Sequence, residues 1–308
     1  MKKLLFFILV IIVAAAVGGY YAFPDKVADF LISYARHNAG LDKKIVHVDD
    51  HQIVYLESPR GKETILLLHG YSANKYSWLL FSSYLRDYHL VIPDLPGYGE
   101  SSKLGNENYG VDNQIERLHK FCQRIKINKF HVVGNSMGGW FAGAYAIRFP
   151  DEVLSIGFFN AVGVKSPRMS EVMKIMATGA NPLLLKDEND YSRLMSLIFL
   201  DPPFTPYPIK KMFISDALAN RKFYEKTINE IKPDIFSLEK NLPKIKAPAL
   251  IIWGAQDRII DVSSVGVFER GLKKSQTVII DNCGHAPMLE KPHQAATAYL
   301  AFIKSIKN

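Results

Sequence analysis

The chain has 308 residues, 48% hydrophobic and 22% charged, a balance that excludes a disordered polymer and suits one large α/β domain or a domain with an insertion. Its formal net charge of +8 is spread along the sequence with no lysine/arginine block among aromatics. That argues against nucleic-acid binding and leaves attraction to an anionic membrane surface as the reading of the excess.

Two lysines open the chain, and the twenty residues from Leu4 to Phe23 carry no charge. As a helix they would span about 30 Å, the thickness of a bilayer's hydrocarbon. Tyr20 and Tyr21 would then fall at the interface. We read residues 1–23 as an uncleaved membrane anchor, with a signal peptide cleaved near Ala14–Ala16 and a secreted domain as the alternative. The lysines ahead of the segment put the N-terminus in the cytoplasm and the rest on the extracytoplasmic side. Val27, Phe30, Leu31 and Tyr34 follow at helical spacing and predict a short amphipathic helix, on the membrane or on the domain's flank.

"KIVHVDDHQIVYLES" then reads as a β-hairpin with "HVDDH" at its turn. Two histidines around two acids also suit a metal, but the turn is the better reading and no metal is assigned. Beyond it, "TILLLHG", "HLVIPDLPG", "FHVVGNS", "LSIGFFNA", "ALIIWGAQD" and "QTVIIDNCGH" are apolar on both faces, as parallel strands buried between helices should be. Helical patterns alternate with them: "NKYSWLLFSSYLRD", "VDNQIERLHKFCQRI" and "MGGWFAGAYAIRF". This predicts an α/β fold with a mostly parallel sheet flanked by helices. Residues 163–242 break the rhythm with apolar helical pieces and "DPPFTPYP", too long for a simple αβ connection. We read them as an inserted helical cap between two parts of one core, residues 24–162 and 243–308. Cys122 and Cys283 lie far apart without CxxC spacing and read as buried thiols, with pairing as the alternative.

Within this frame Gly134-Asn135-Ser136-Met137-Gly138 is G-x-S-x-G, after a strand and opening a helix. That setting makes it a nucleophile elbow, with Ser136 on a tight turn and a helix N-terminus facing any oxyanion. A serine needs a base, and the base an orienting acid, following in chain order. His285 in "DNCGHAPMLEKP" and Asp257 in "IIWGAQDRIID" each stand just past a strand and fill those roles. Asp261 and Asp281 are nearby competitors for the acid. The oxyanion needs two backbone donors, assigned to the amides of Met137 and of Tyr71 in "LLLHGYS". His69 shapes that loop. "DLPGYGES" is glycine-rich but has neither P-loop nor dinucleotide spacing.

The order HG, DLPGYGES, GNSMGG, WGAQD, CGH resembles the α/β-hydrolase family across residues 44–306. "HGYSANKYSW", "GNSMGGWFAGAYA" and "NCGHAPMLEKP" behind an N-terminal apolar segment are similar to its branch of monoacylglycerol lipases and Moraxella-type bacterial lipases. The resemblance implies a serine carboxylester hydrolase of acylglycerols, or of short to medium acyl esters, held at a membrane and needing no cofactor. The triad and oxyanion positions of the family fall on Ser136, Asp257, His285, Tyr71 and Met137. Carbon–carbon bond hydrolysis of ring-fission products is the alternative within the same fold. Met169, Met173, Met176, Met195 and Phe199 in the insertion are candidates to line an acyl pocket, against plain packing of the cap.

Overall fold

The computed structural model describes residues 17–306, so residues 1–16, which carry most of the expected anchor, lie outside it. Residues 17–22 are helical and lead into α1 (Pro24–Asn38), which begins with proline at its first turn. None of the described helices is long and apolar enough to cross a membrane. The predicted amphipathic helix is α1. Ala28 is buried, whereas Phe30 and Tyr34 face solvent.

An antiparallel hairpin follows, β1 (Asp42–Val48) and β2 (His51–Glu57), paired from Asp42↔Glu57 to Val48↔His51. Asp49 and Asp50 make the turn, Asp49 with φ of 50°, so "HVDDH" is a hairpin corner. Six more strands complete one sheet: β3 (Lys62–Leu68), β4 (Tyr88–Pro93), β5 (Phe130–Asn135), β6 (Val153–Phe159), β7 (Ala249–Gly254) and β8 (Ser275–Ile280). The spatial order is β1-β2-β4-β3-β5-β6-β7-β8, with β3 to β8 all parallel. The order reverses around β3, so the loops after β3 and β5 diverge at one edge, where open α/β sheets hold their ligands. Buried residues fill two large apolar clusters, one on each face of the sheet.

The helices are α2 (Leu79–Ser82), α3 (Val111–Arg124), α4 (Met137–Arg148), α5 (Glu171–Ala177), α6 (Asp190–Ile198), α7 (Tyr207–Ala219), α8 (Arg221–Ile231), α9 (Ser264–Gly271), α10 (Pro287–Glu290) and α11 (Pro292–Ser305). From α5 to α8 the chain runs outside the sheet, between β6 and β7.

Two expectations need correction. β8 is not buried on both faces. It is an edge strand with only β7 beside it, and Ser275, Gln276 and Ile279 are exposed. The long helix expected over "NKYSWLLFSSYLRD" is reduced to a 3₁₀ turn, Lys75–Trp78, and the four residues of α2. Asn74 caps that turn by accepting from the Tyr76 amide, and the Lys75 side chain is drawn inward.

That lysine ties two loops together. Lys75 Nζ donates to Asp94 Oδ2 at 2.6 Å and to Glu100 Oε1 at 2.7 Å, and the Lys75 and Asp94 side chains are wholly buried. Asp94 also accepts the amides of Lys75 and Glu100. The loop after β3 is thereby fixed to the loop after β4. Removing one partner of such a pair leaves a buried, uncompensated charge. We therefore expect Lys75→Met to lower stability by about 3–5 kcal/mol, measured by urea unfolding.

Glu100 adds a pH dependence. Burial alone would raise its carboxyl, but hydrogen bonds from Lys43, Lys75 and Tyr76 outweigh burial and hold it at about 2, below the usual 4.5. Its contribution is full above pH 4.5 and is lost as the pH falls towards 2. The expected outcome is that Glu100→Gln flattens the acid limb of the thermal-midpoint-versus-pH curve in that window.

Candidate active site

β5 ends at Asn135 and α4 begins at Met137, so Ser136 alone makes the turn. Its φ of 56° and ψ of −119° are conformations an L-residue rarely adopts, a strain of about 1–3 kcal/mol that the surroundings must hold. They do so with the backbone. The Ser136 amide donates to Phe159 O, and its carbonyl accepts from the amides of Gly139, Trp140 and Val162. Two glycines make the turn sterically possible: a Cβ on Gly134 would collide with the Gly138 carbonyl, and one on Gly138 with the carbonyls of Leu68 and His69. The first turn of α4 thus lies directly on the end of β3. Ser136 keeps 8% of its surface exposed.

His285 follows β8, and its Nδ1–H donates to Asp257 Oδ2 at 2.8 Å. The Asp257 carboxylate is fully enclosed and accepts three further hydrogen bonds, from Asn160 Nδ2 at 2.7 Å, Ile259 N at 2.7 Å and Ile260 N at 3.0 Å. Every lone-pair direction is used, which fixes the carboxylate in place. The ring tautomer follows: with the proton on Nδ1, Nε2 carries the lone pair. Asp261 is occupied elsewhere, accepting from Arg168 Nε and the Ser263 amide, and Asp281 is exposed.

The loop after β3 passes beside the elbow, for a Cβ on Gly70 would stand 3.2 Å from Ser136 Cβ. His69 is fully buried under it. Its Nδ1–H donates to Gly70 O at 2.8 Å, and its Nε2 accepts the Leu95 amide at 3.0 Å. Burial lowers its basicity, so the ring stays neutral as a structural bracket. Tyr71 follows Gly70 and is half-buried, and Met137 is buried at the start of α4. Cys122 and Cys283 are free and buried, and burial together with Glu290 pushes the Cys283 thiol up to about 12.

The candidates in the insertion do not converge. Met169 is about half exposed, and Met173 lies on α5 with Met176, which packs on the main core. Met195 and Phe199 are at and just past the end of α6 and pack in the cluster of the other sheet face. There the His285 amide donates to Ile198 O at 2.6 Å, so Phe199 sits against the histidine loop.

Three residues here were not singled out from sequence. Asn160, with φ of 45°, ends β6 and orients Asp257, while its Oδ1 accepts the Gly254 amide. Asn135 donates to the carbonyls of Phe159 and His285, binding the elbow to the histidine loop. Glu290 accepts from the amides of Gly284, Leu200 and Asp201, fastening that loop to the insertion. An asparagine standing directly past a strand on the site's edge was the available signal for Asn160.

The profile of the α/β-hydrolase fold family matches residues 63–175 and 210–292. The chain is 31% identical over 303 residues to the monoacylglycerol lipase ABHD6 of Rattus norvegicus, covering 94% of this chain and 90% of that one. It is 31% identical to Lipase 1 of Psychrobacter immobilis, covering 88% and 87%. The crystal structure of a bacterial membrane phospholipase A superposes with a TM-score of 0.90 at 38% identity, over 100% of both chains. With the glycine-flanked serine, the buried Asp257–His285 pair and the parallel sheet, these similarities establish that the chain belongs to the α/β-hydrolase family, among its carboxylic ester hydrolases.

Proposed function

We propose that the protein is a serine lipase or esterase acting through an acyl-enzyme on Ser136. The observation that carries this reading is the His285–Asp257 pair, whose tautomer is set by a 2.8 Å hydrogen bond and whose loop is bound through the His285 carbonyl by Asn135, the residue before a serine on a strained, glycine-flanked turn. Ser136 Oγ attacks the ester carbonyl while His285 Nε2 takes its proton. Asp257 stabilises the imidazolium, and the amides of Tyr71 and Met137 receive the oxyanion at the N-terminus of α4. His285 then returns the proton to the departing alcohol. Water, activated by the same histidine, releases the acid and restores Ser136.

The substrates we propose are monoacylglycerols or other short to medium acyl esters. Relatives named monoacylglycerol lipase and lipase over most of their length support this, as does an apolar insertion ending at Phe199 beside the histidine loop. Residues 163–242 act as a cap over the site. Of the five candidates in it, Phe199 lies against the histidine loop.

Residues 1–23 hold the enzyme at the membrane with the catalytic domain on the extracytoplasmic side. Large exposed apolar side chains at the end of this segment and beyond it support a lipid-facing surface. Tyr21, Phe23, Phe30 and Tyr34 are exposed, as are Phe204 and Tyr207 of the insertion. Tyr20 joins the two groups through a 3.0 Å hydrogen bond from the Tyr207 amide to its hydroxyl.

Ser136→Ala should reduce hydrolysis of p-nitrophenyl butyrate at least about 10³-fold. In the same assay format, monoacylglycerols should be cleaved faster than triacylglycerols, with no turnover of a ring-fission dienoate. Undiminished turnover by Ser136→Ala would refute the acyl-enzyme. For the membrane reading, the full chain should sediment with membranes and resist carbonate extraction, whereas a chain starting at Pro24 should be extracted. A full chain that remains soluble sinks that part.

A further inference from the structure

Beyond Ser136, Asp257 and His285, a group of tyrosines lies between the loop after β3 and the insertion. Tyr71 Oη donates to the carbonyl oxygen of Tyr224 at 2.7 Å, joining positions 153 residues apart. Tyr224 lies on α8, and its own hydroxyl donates to Asp216 of α7 at 3.0 Å. The Tyr71 ring stands edge-on to Tyr98 and to Tyr224, with centroids 6.2 and 6.3 Å away. Tyr98, from the loop after β4, lies flat on Tyr224 at 5.6 Å and 12°. Its hydroxyl donates to Thr227 Oγ1 at 3.1 Å and lies 3.5 Å from Met137 Sδ. Beneath it, the Tyr98 ring meets His69 edge-on at 5.5 Å.

Two facts about this group stand out. Each of the two residues assigned to the oxyanion hole, Tyr71 and Met137, touches α8 directly or through one tyrosine. The only polar atom of the Tyr71 side chain is spent on that contact, so its hydroxyl is fixed to α8. Burial raises the Tyr71 phenol well above its ordinary pKa, so it remains a donor at any working pH.

We infer that the Tyr71 side chain is a positioning device that couples the cap to the oxyanion hole: α8, when seated, holds the Tyr71 amide at the place where oxyanion charge develops. This rests on the proposed role of that amide. The peptide that carries the Tyr71 amide is held at its Gly70 carbonyl, which accepts from His69 Nδ1 and the Ala73 amide, and an oxyanion donor acts only when it is already aimed. The tether supplies the aim from the cap side, while His69 supplies it from the core side. The substrates most able to benefit are those that leave α8 in place when they bind.

Tyr71→Phe tests this, because it removes one oxygen and leaves the ring and the amide. We expect kcat for p-nitrophenyl butyrate to fall about tenfold with KM changed less than about twofold, since the lost interaction matters chiefly in the transition state. Affinity for a trifluoromethyl ketone, which forms the tetrahedral oxyanion on Ser136, should fall in parallel while the thermal midpoint holds. Tyr98→Phe, which cuts the Thr227 link, should lower kcat too, and the double variant should lose less than the product of the two. An unchanged kcat in Tyr71→Phe overturns the tether. So does a rise in KM alone, which marks a substrate contact, or a loss that follows a lowered thermal midpoint, which marks a merely structural role. Fluorophosphonate labelling of Ser136 in the unaltered protein separates the two ideas. Labelling with no Tyr71→Phe effect removes only the tether, whereas no labelling removes the triad reading and the tether with it.

Discussion

The closeness with which α4 lies on the ends of β3 and β5 is the constraint that everything at the site obeys. The Gly138 backbone touches the carbonyls of Leu68 and His69, and the Gly134 backbone touches that of Gly138. At such distances no side chain fits, so three segments meet by backbone alone. The consequence is twofold. Ser136 is forced to positive φ, which lifts its side chain off the sheet edge, and the loop beginning at His69 is laid alongside it. A helix N-terminus, a serine and a strand-end loop therefore converge without any of them being long or mobile.

Once backbone contact sets the centre, polar groups fix the periphery, and they do so with buried asparagines, charges and tyrosines. Lys75, Asp94 and Glu100 clamp the loops after β3 and β4. Asn160 and the amides of Ile259 and Ile260 immobilise Asp257. Asn135 and Glu290 hold the His285 loop from two sides. Lys75, Asp94, Asn135, Asn160 and Asp257 are satisfied buried polar groups, costly to disturb because a partner would be stranded in a low dielectric. This is a way to hold a site rigid on loops, where apolar packing alone leaves side chains several rotamers.

Much of this was legible in the sequence, for a physical reason. A parallel strand buried on both faces must be an apolar run, and the functional groups of such a sheet follow the strands, so position alone made Ser136, Asp257 and His285 the candidates for the triad. What could not be read were relations between segments. Nothing local in "HGYSAN" says that the Tyr71 hydroxyl ends on a carbonyl 153 residues later. Asn160 looks like an ordinary loop residue until Asp257 is beside it. The shortened helix after β3 also escaped, because a helical pattern over residues 74–87 does not reveal that Lys75 will be drawn into an ion pair. Likewise β8 has the apolar pattern of an interior strand, and only the strand order shows that it lies at the edge.

The asymmetry between the two sides of the site bears on how the chemistry is divided. On the acid–base side, His285 and Asp257 are held by core elements and by the segment around Ile198, Leu200 and Glu290. On the proposed oxyanion side, the Gly70 carbonyl is held by His69 from the core and the Tyr71 hydroxyl by α8 from the insertion. The insertion thus touches both halves, through α6 at one and α8 at the other. An ester long enough to reach between those helices would meet the same elements that steady the base and aim the amide. Binding energy gained far from the carbonyl would then be expressed where the charge develops, the condition under which a remote contact raises kcat rather than merely lowering KM.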